Sequence, residues 1–201
     1  MRNLLASLLL LVVASAAQET SLKPKPGFQF DWRWSEDAGN QTVATSKNIS
    51  KAERTALIAA LAAQFRDYPK PMERVAQTYI RLVDLNGDGV DEIIAQPVGE
   101  YSCSPTGNCP FWVFQKAGTK YRLILEKGAV QNFSIRPART NGYSDFVLGM
   151  HGSATEQGLF VYQFSAGRYR RTGCYNANWS YLGEDGEVHD LKEPRITPCK
   201  K

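Results

Sequence analysis

The hydrophobic pattern in the second quarter of the chain predicts one amphipathic helix. Ser50 and Glu53 have the spacing of a capping box, in which each side chain bonds the backbone N–H of the other residue. Apolar residues then recur three or four positions apart, as on one face of a helix: Leu57, Ile58, Leu61 and Phe65. Pro69 and Pro71 end this pattern. We therefore expect a helix from about Lys51 to Arg66 that covers a sheet.

Shorter apolar and β-branched stretches predict strands joined by hairpins. The expected partners are 78–83 with 93–96, 111–115 with 121–125, and 179–182 with 188–191. The pattern as a whole predicts an α+β fold, made mainly of antiparallel sheet in a meander of hairpins, with one amphipathic helix packed on it.

The stretch Phe28–Trp34 alternates strictly between aromatic and polar residues. Phe28, Phe30, Trp32 and Trp34 share one face, as in a half-buried strand. An aromatic platform for a sugar or a peptide is one interpretation. A core face is the other, and we favour it because aromatic faces of strands are usually buried.

The N-terminus and the composition indicate where the domain begins and in which compartment it is expected. Arg2, an apolar run over 4–13 and small residues up to Ala17 predict a signal peptide over residues 1–17. Residues 18–27 are predicted to be a flexible leader, and 28–201 a single α+β domain. With 43% hydrophobic residues the chain can form a core, and a net charge of +4 is too mild to indicate nucleic acid. We expect a secreted or periplasmic protein with no transmembrane segment in the mature chain.

The cysteine spacing predicts two disulfide bonds. Export makes disulfides plausible, and four cysteines allow three connectivities. Order in the chain favours Cys103–Cys109, which would close a short loop, and Cys174–Cys199, which would attach the C-terminal end. A zinc site is the rival interpretation, ranked lower because the close C-x₂-C spacing is missing.

The acidic stretch after the first predicted strand has the pattern of a cation-binding loop. Asp84, Asn86, Asp88 and Glu92 offer side-chain oxygens, Val90 can offer its carbonyl, and Gly89 permits a sharp turn. Hard cations such as Ca²⁺ take six to eight oxygen ligands. The sequence therefore predicts one Ca²⁺ site. An acidic turn without metal is the alternative.

This loop resembles the calcium loops of FG-GAP/VCBS-type repeats. An EF-hand would require a glutamate where Ala95 stands, whereas the D-x-N-x-D-G pattern followed by a strand is similar to the repeat family. Two alignments extend the resemblance over about residues 78–171: 112–122 with 160–170, and 90–95 with 143–148. Two units cannot close a propeller, so we expect an open antiparallel sheet. The second unit lacks the acidic run, hence one cation site.

The sequence favours a binding protein over an enzyme. The two histidines are His151 and His189, and no sequence motif of a hydrolase or a phosphate-binding loop is present. We expect a non-catalytic binding module whose partner is a protein or glycan outside the cytoplasm. One alternative is an inhibitor of a secreted hydrolase such as lysozyme, which would use the loop 102–110. Another is a hydrolase that uses His151.

Overall fold

The structure is a computed structural model that describes residues 38–199. The predicted signal peptide, the leader and the aromatic strand Phe28–Trp34 lie outside the described residues. Within the described range, helices α1 (Lys51–Gln64) and α2 (Pro71–Ala76) precede all the strands. No helix in this range combines the length and the apolar character that a membrane crossing needs.

Helix α1 begins as the capping box predicts. The Glu53 N–H donates to Ser50 Oγ (3.2 Å), and the Ser50 N–H donates to Glu53 Oε2 (2.9 Å). The helix ends at Gln64, two residues before the predicted end. The short helix α2 was not predicted. It starts at Pro71, because proline is well tolerated in the first turn of a helix.

The strands form two antiparallel sheets in which chain neighbours are sheet neighbours. The first sheet contains β1 (Thr78–Val83), β2 (Glu92–Pro97), β3 (Cys109–Ala117) and β4 (Lys120–Val130). The second sheet contains β5 (Asn132–Thr140), β6 (Tyr143–His151), β7 (Glu156–Ser165), β8 (Arg168–Leu182) and β9 (Val188–Pro198). The mainly antiparallel α+β fold and the three predicted hairpins are confirmed.

Two points of the strand prediction differ from the structure. Strand β5 has no predicted counterpart; Pro137 interrupts its sequence and its pairing with β6 is irregular between Ile135 and Arg139. The expected open sheet is instead two sheets that share one core. The aligned segments 112–122 and 160–170 form corresponding hairpins, β3–β4 and β7–β8, one in each sheet.

The layers follow from which faces are apolar. One face of the first sheet packs on α1 through Leu57, Leu61, Phe65, Ile80, Ile93, Ala95, Trp112 and Phe114. Its other face meets the second sheet through a core that includes Ile94, Phe111, Val113, Ile124, Phe133, Phe146, Leu148 and Phe160. The order of layers is therefore helix, first sheet, second sheet, with the larger core between the sheets.

The two disulfide bonds have the predicted connectivity. Cys103 bonds Cys109, and Cys174 bonds Cys199. No described cysteine is free. The second bond joins the end of the chain to β8, where the Cys199 N–H also donates to the Cys174 carbonyl (3.0 Å).

Candidate cation-binding loop

The acidic stretch forms the turn of the β1–β2 hairpin. Val83 pairs directly with Glu92, so residues 84–91 make the connection. Gly87 and Gly89 have φ angles of +79° and +80°, a region that suits glycine because it has no Cβ. The two glycines allow the backbone to curl around the side chain of Asp84.

Asp84 holds the turn together from inside. Its Oδ1 accepts the Gly87 N–H (2.6 Å) and its Oδ2 accepts the Gly89 N–H (3.0 Å). These donors, the Gly89 N–H first, hold the pKa of the Asp84 carboxyl below its usual value. The carboxylate is therefore ionised and oriented by the backbone before any ligand arrives.

Asn86 and Asp88 are tied to each other and to the second sheet. Asn86 Nδ2 donates to Asp88 Oδ2 (2.8 Å) and to the Tyr143 hydroxyl (3.1 Å), while Asn86 Oδ1 accepts the Asp88 N–H (2.9 Å). Asp88 Oδ1 accepts the Val90 N–H (2.8 Å). The side chains predicted to be ligands thus also build the turn.

Glu92 is the buried member of the set, with 2% of its surface exposed. Its Oε2 accepts the Leu85 N–H (2.9 Å) and its Oε1 accepts from Gln115 Nε2 (3.4 Å). Burial raises the pKa of the Glu92 carboxyl, and the negative charges of Asp88 and Asp84 raise it further. A positive charge near Glu92 would lower the pKa of its carboxyl, because it would compensate for both the burial and the repulsion.

A small cavity opens beside these groups. It measures about 300 Å³ and is lined by Asp88, Val90, Glu92, Gln115, Lys116 and Gly118. Three of the five predicted ligand residues therefore face one space of ample size for a cation, and Asp84 and Asn86 do not line it. Among residues 38–199, no three His, Cys, Asp or Glu side chains converge as a metal-binding group.

Two neighbours of the loop could not be recognised from the sequence. The hydroxyl of Tyr143 accepts hydrogen bonds from Asn86 Nδ2 and from Gln115 Nε2. A Cβ added to Gly87 would lie 3.0 Å from Arg139 Nη1, so a guanidinium rests against the turn. Tyr143 and Arg139 come from the β5–β6 hairpin of the second sheet. No local signal in the sequence connects them with the acidic stretch.

The histidines do not form a catalytic set within the described part of the chain. The backbone of His151 exchanges hydrogen bonds with the Asn108 side chain (2.8 and 2.9 Å), and no described group bonds its imidazole. His189 Nε2 contacts Asp185 Oδ2 (3.0 Å), and its ring stacks on Tyr181. Each histidine belongs to its own local structure.

No protein-family model matches this chain, and the comparisons with curated proteins and with solved structures found no match either. The resemblance to FG-GAP/VCBS repeats therefore stays a hypothesis that rests on the residues of the loop and on the two internal alignments.

Proposed function

We propose that this protein is a non-catalytic binding module of the secreted or periplasmic space, in which the loop from Asp84 to Glu92 binds one Ca²⁺ ion. The observation that carries the proposal is the cavity shared by Asp88, Val90 and Glu92. The two disulfide bonds support a location outside the cytoplasm, because such bonds persist in oxidising compartments.

The charge of the loop supports a cation. Asp84, Asp88 and Glu92 bring three carboxylates into one hairpin turn, and their mutual repulsion acts mainly on the folded state, where they are held close. Glu92 is in addition removed from water. Ca²⁺ is favoured over Mg²⁺, because Mg²⁺ demands a tight octahedron whereas Ca²⁺ accepts six to eight side-chain and carbonyl oxygens in a less regular arrangement.

The test is a calorimetric titration of the mature protein with Ca²⁺, together with its melting temperature. Binding to the folded state alone stabilises it by about 2.7 kcal/mol at a hundredfold excess over Kd. Millimolar Ca²⁺ should raise the melting temperature, and Asp88→Ala should abolish this rise. Asp91→Ala is the matched control, since Asp91 is an exposed aspartate of the same turn. An absence of binding heat at millimolar Ca²⁺ would reduce the loop to an acidic turn.

A rigid loop supports a second candidate function, inhibition of a secreted hydrolase such as lysozyme. The disulfide Cys103–Cys109 closes this loop, and Arg74 holds one end by donating to the Tyr101 carbonyl and to Ser102 Oγ (3.0 Å). At the other end the Asn108 side chain is bonded to the backbone of His151. A loop ordered before binding loses little entropy when it docks.

Inhibition can be tested directly with lysozyme and with other secreted hydrolases. Pro105→Arg, at the exposed tip of the disulfide loop, should weaken an inhibitory complex, whereas Ser165→Arg, at the exposed end of β7, should not. Capture of a protein or glycan partner that is indifferent to Pro105→Arg would favour the binding-module proposal without an inhibitory loop.

A further inference from the structure

Helix α1 and the edge of the first sheet border an open groove. The buried face of the helix packs on the sheet. Alanines at helical spacing, Ala52, Ala56 and Ala59, instead line this groove, which measures about 870 Å³. Lys120 and Tyr121, at the start of β4, also line it. Ligand sites commonly measure about 300–1,000 Å³, so the groove is large enough to bind a partner.

The strand beside this groove is an edge strand. β4 pairs with β3, and no strand of residues 38–199 pairs with its other edge. Ala117 pairs with Lys120 across a two-residue turn, and hydrogen-bonded and non-hydrogen-bonded pairs alternate from there. The backbone N–H and C=O groups of Tyr121 and Leu123 therefore point to the open edge. An edge of this kind can accept a further strand from another polypeptide.

The charge around the groove is positive. Lys51 and Lys120 line it, and both are exposed. Glu53 and Lys116 line its adjoining part, where their ion pair (2.6 Å) cancels their charges. Arg122 is exposed and lies on the same face of β4 as Lys120. Two such edges would repel each other, so the charges disfavour a second copy of this strand and favour an acidic one.

We propose that an extended acidic segment of a partner protein binds in this groove as an additional strand beside β4. Its backbone bonds the N–H and C=O groups of Tyr121 and Leu123. Successive side chains of a strand point to opposite faces, so every second one, small or apolar, faces the alanines of α1. The acidic side chains between them lie beside Lys120 and Arg122.

The two sides of this contact have different roles. The backbone bonds to the edge of β4 provide affinity for any extended segment, whereas the groove and the basic side chains select its sequence. The inference names the class of partner, and it rests on the proposed function in that the protein is a binding module. It does not require the cation in the acidic loop.

Fluorescence anisotropy with the mature full chain and a short labelled peptide of alternating glutamate and valine tests the proposal. This peptide should bind, whereas the same peptide with lysine in place of glutamate should not. A third peptide keeps the glutamates and valines but has methylated backbone nitrogens. It should not bind either, because it has no N–H donors for the edge of β4. On binding of the first peptide, amide hydrogen exchange at Tyr121 and Leu123 should slow.

Variants of the groove test the site itself. Ala59→Phe should abolish binding of the glutamate–valine peptide, because the ring fills the groove. Ala63→Phe is the matched control, since Ala63 is also exposed on α1 but does not line the groove.

Reversal of the two lysines tests the charge. Lys51→Glu with Lys120→Glu should weaken binding of the glutamate–valine peptide about tenfold or more, because like charges then face each other. Lys70→Glu with Lys192→Glu, two exposed lysines that do not line the groove, should leave the affinity unchanged.

The melting temperature checks that each variant is folded, and the lysine variants carry the comparison if Ala59→Phe does not fold. Three results would overturn the proposal: no binding of the glutamate–valine peptide, equal binding of the methylated peptide, or unchanged binding by folded Ala59→Phe. An oligomer of the wild-type protein that Ala59→Phe dissociates would also overturn it, by indicating a second copy in the groove. Ca²⁺ titration of Ala59→Phe should match wild type, so failure of the groove and failure of the acidic loop are separate results.

Discussion

Among single residues, Glu92 is the buried carboxylate of the acidic loop. Burial and the charges of Asp88 and Asp84 raise the pKa of its carboxyl above the ordinary 4.5. The folded state therefore holds this proton more tightly than the unfolded state does. It follows that, without a cation, the free energy of unfolding should fall as the pH rises from about 4.5 through the raised pKa.

Replacement of the charge tests this reasoning. In the presence of a calcium chelator, Glu92→Gln should stabilise the protein at neutral pH and flatten its fall in stability between acid and neutral pH. With calcium present, Glu92→Gln should lack the increase in stability that we expect calcium to give the wild-type protein. Urea unfolding across this pH range measures both effects. Parallel stability curves for the two proteins in chelator would contradict the assignment of a penalised charge at Glu92.

Glu53 shows the opposite shift. Hydrogen bonds from Lys116 Nζ (2.6 Å) and from the Ser50 N–H lower the pKa of its carboxyl from 4.5 to about 2. The stabilisation by this charge is therefore full above pH 4.5 and is lost as the pH falls through about 2. The Glu53 and Lys116 side chains remain 28% and 39% exposed, so solvent screens the pair.

The contribution of the pair should accordingly be small. Lys116→Met should reduce the free energy of unfolding at neutral pH by about 0.2–1 kcal/mol. Most of this difference in the free energy of unfolding should vanish in acid, where Glu53 is protonated and loses its charge. Lys120→Met, an exposed lysine of the same hairpin, is the control and should change little. A loss above that range, or one that persists at low pH, would mean that packing and not charge is responsible.

At the scale of elements, helix α1 is both predicted and explained by its sequence. The capping box starts it, and the spacing of Leu57, Leu61 and Phe65 turns one face toward the first sheet. Phe65 meets Trp112 edge to face, with ring centroids 5.2 Å apart. The helix therefore serves as the cover of the first sheet.

A cavity between α1 and the first sheet should lower the free energy of unfolding. Leu61 has no exposed surface, so Leu61→Ala should destabilise the protein by about 2–5 kcal/mol. Thr55→Ala, on the exposed side of the same helix, should stay within about 0.5 kcal/mol. Chemical denaturation of both variants measures the difference. An equally small effect for Leu61→Ala would show that the helix is not held by this contact.

The pairing of strands within a hairpin was easier to predict from the sequence than the division of the hairpins between two sheets. Each predicted hairpin has a local turn signal, such as Gly118 between β3 and β4, where φ is +61°. Strand β5 has no clear signal in the sequence, because Pro137 interrupts it and its register with β6 shifts. Whether two hairpin sets form one sheet or two depends on packing between distant side chains, which no local pattern records.

For the whole molecule, the disulfide bonds constrain loops of different length. Cys174–Cys199 spans 25 residues of sequence and Cys103–Cys109 spans 6. In the chain-entropy model, removing the bond that closes the longer loop lowers the free energy of unfolding by about 3.5 kcal/mol. Removing the bond that closes the shorter loop lowers it by about 2.2 kcal/mol.

The paired serine variants test this order. Cys174→Ser with Cys199→Ser should unfold at lower denaturant concentration than Cys103→Ser with Cys109→Ser. The two double variants serve as controls for each other, since each removes one bond and leaves the other. A reversed order would show that native contacts of the short loop, including those made by Arg74 and Asn108, outweigh the entropy of loop closure.

The sequence by itself determined the features that depend on neighbours in the chain. The capping box, the apolar face of α1, the acidic turn and the short loop closed by Cys103–Cys109 follow from local spacing, and the order of the four cysteines favoured the pairing Cys174–Cys199. The two sheets, the burial of Glu92 and the approach of Tyr143 and Arg139 to the loop were decided by tertiary structure alone. These features depend on contacts between residues far apart in sequence, and their free energy comes from packing and desolvation, which arise only once the layers assemble.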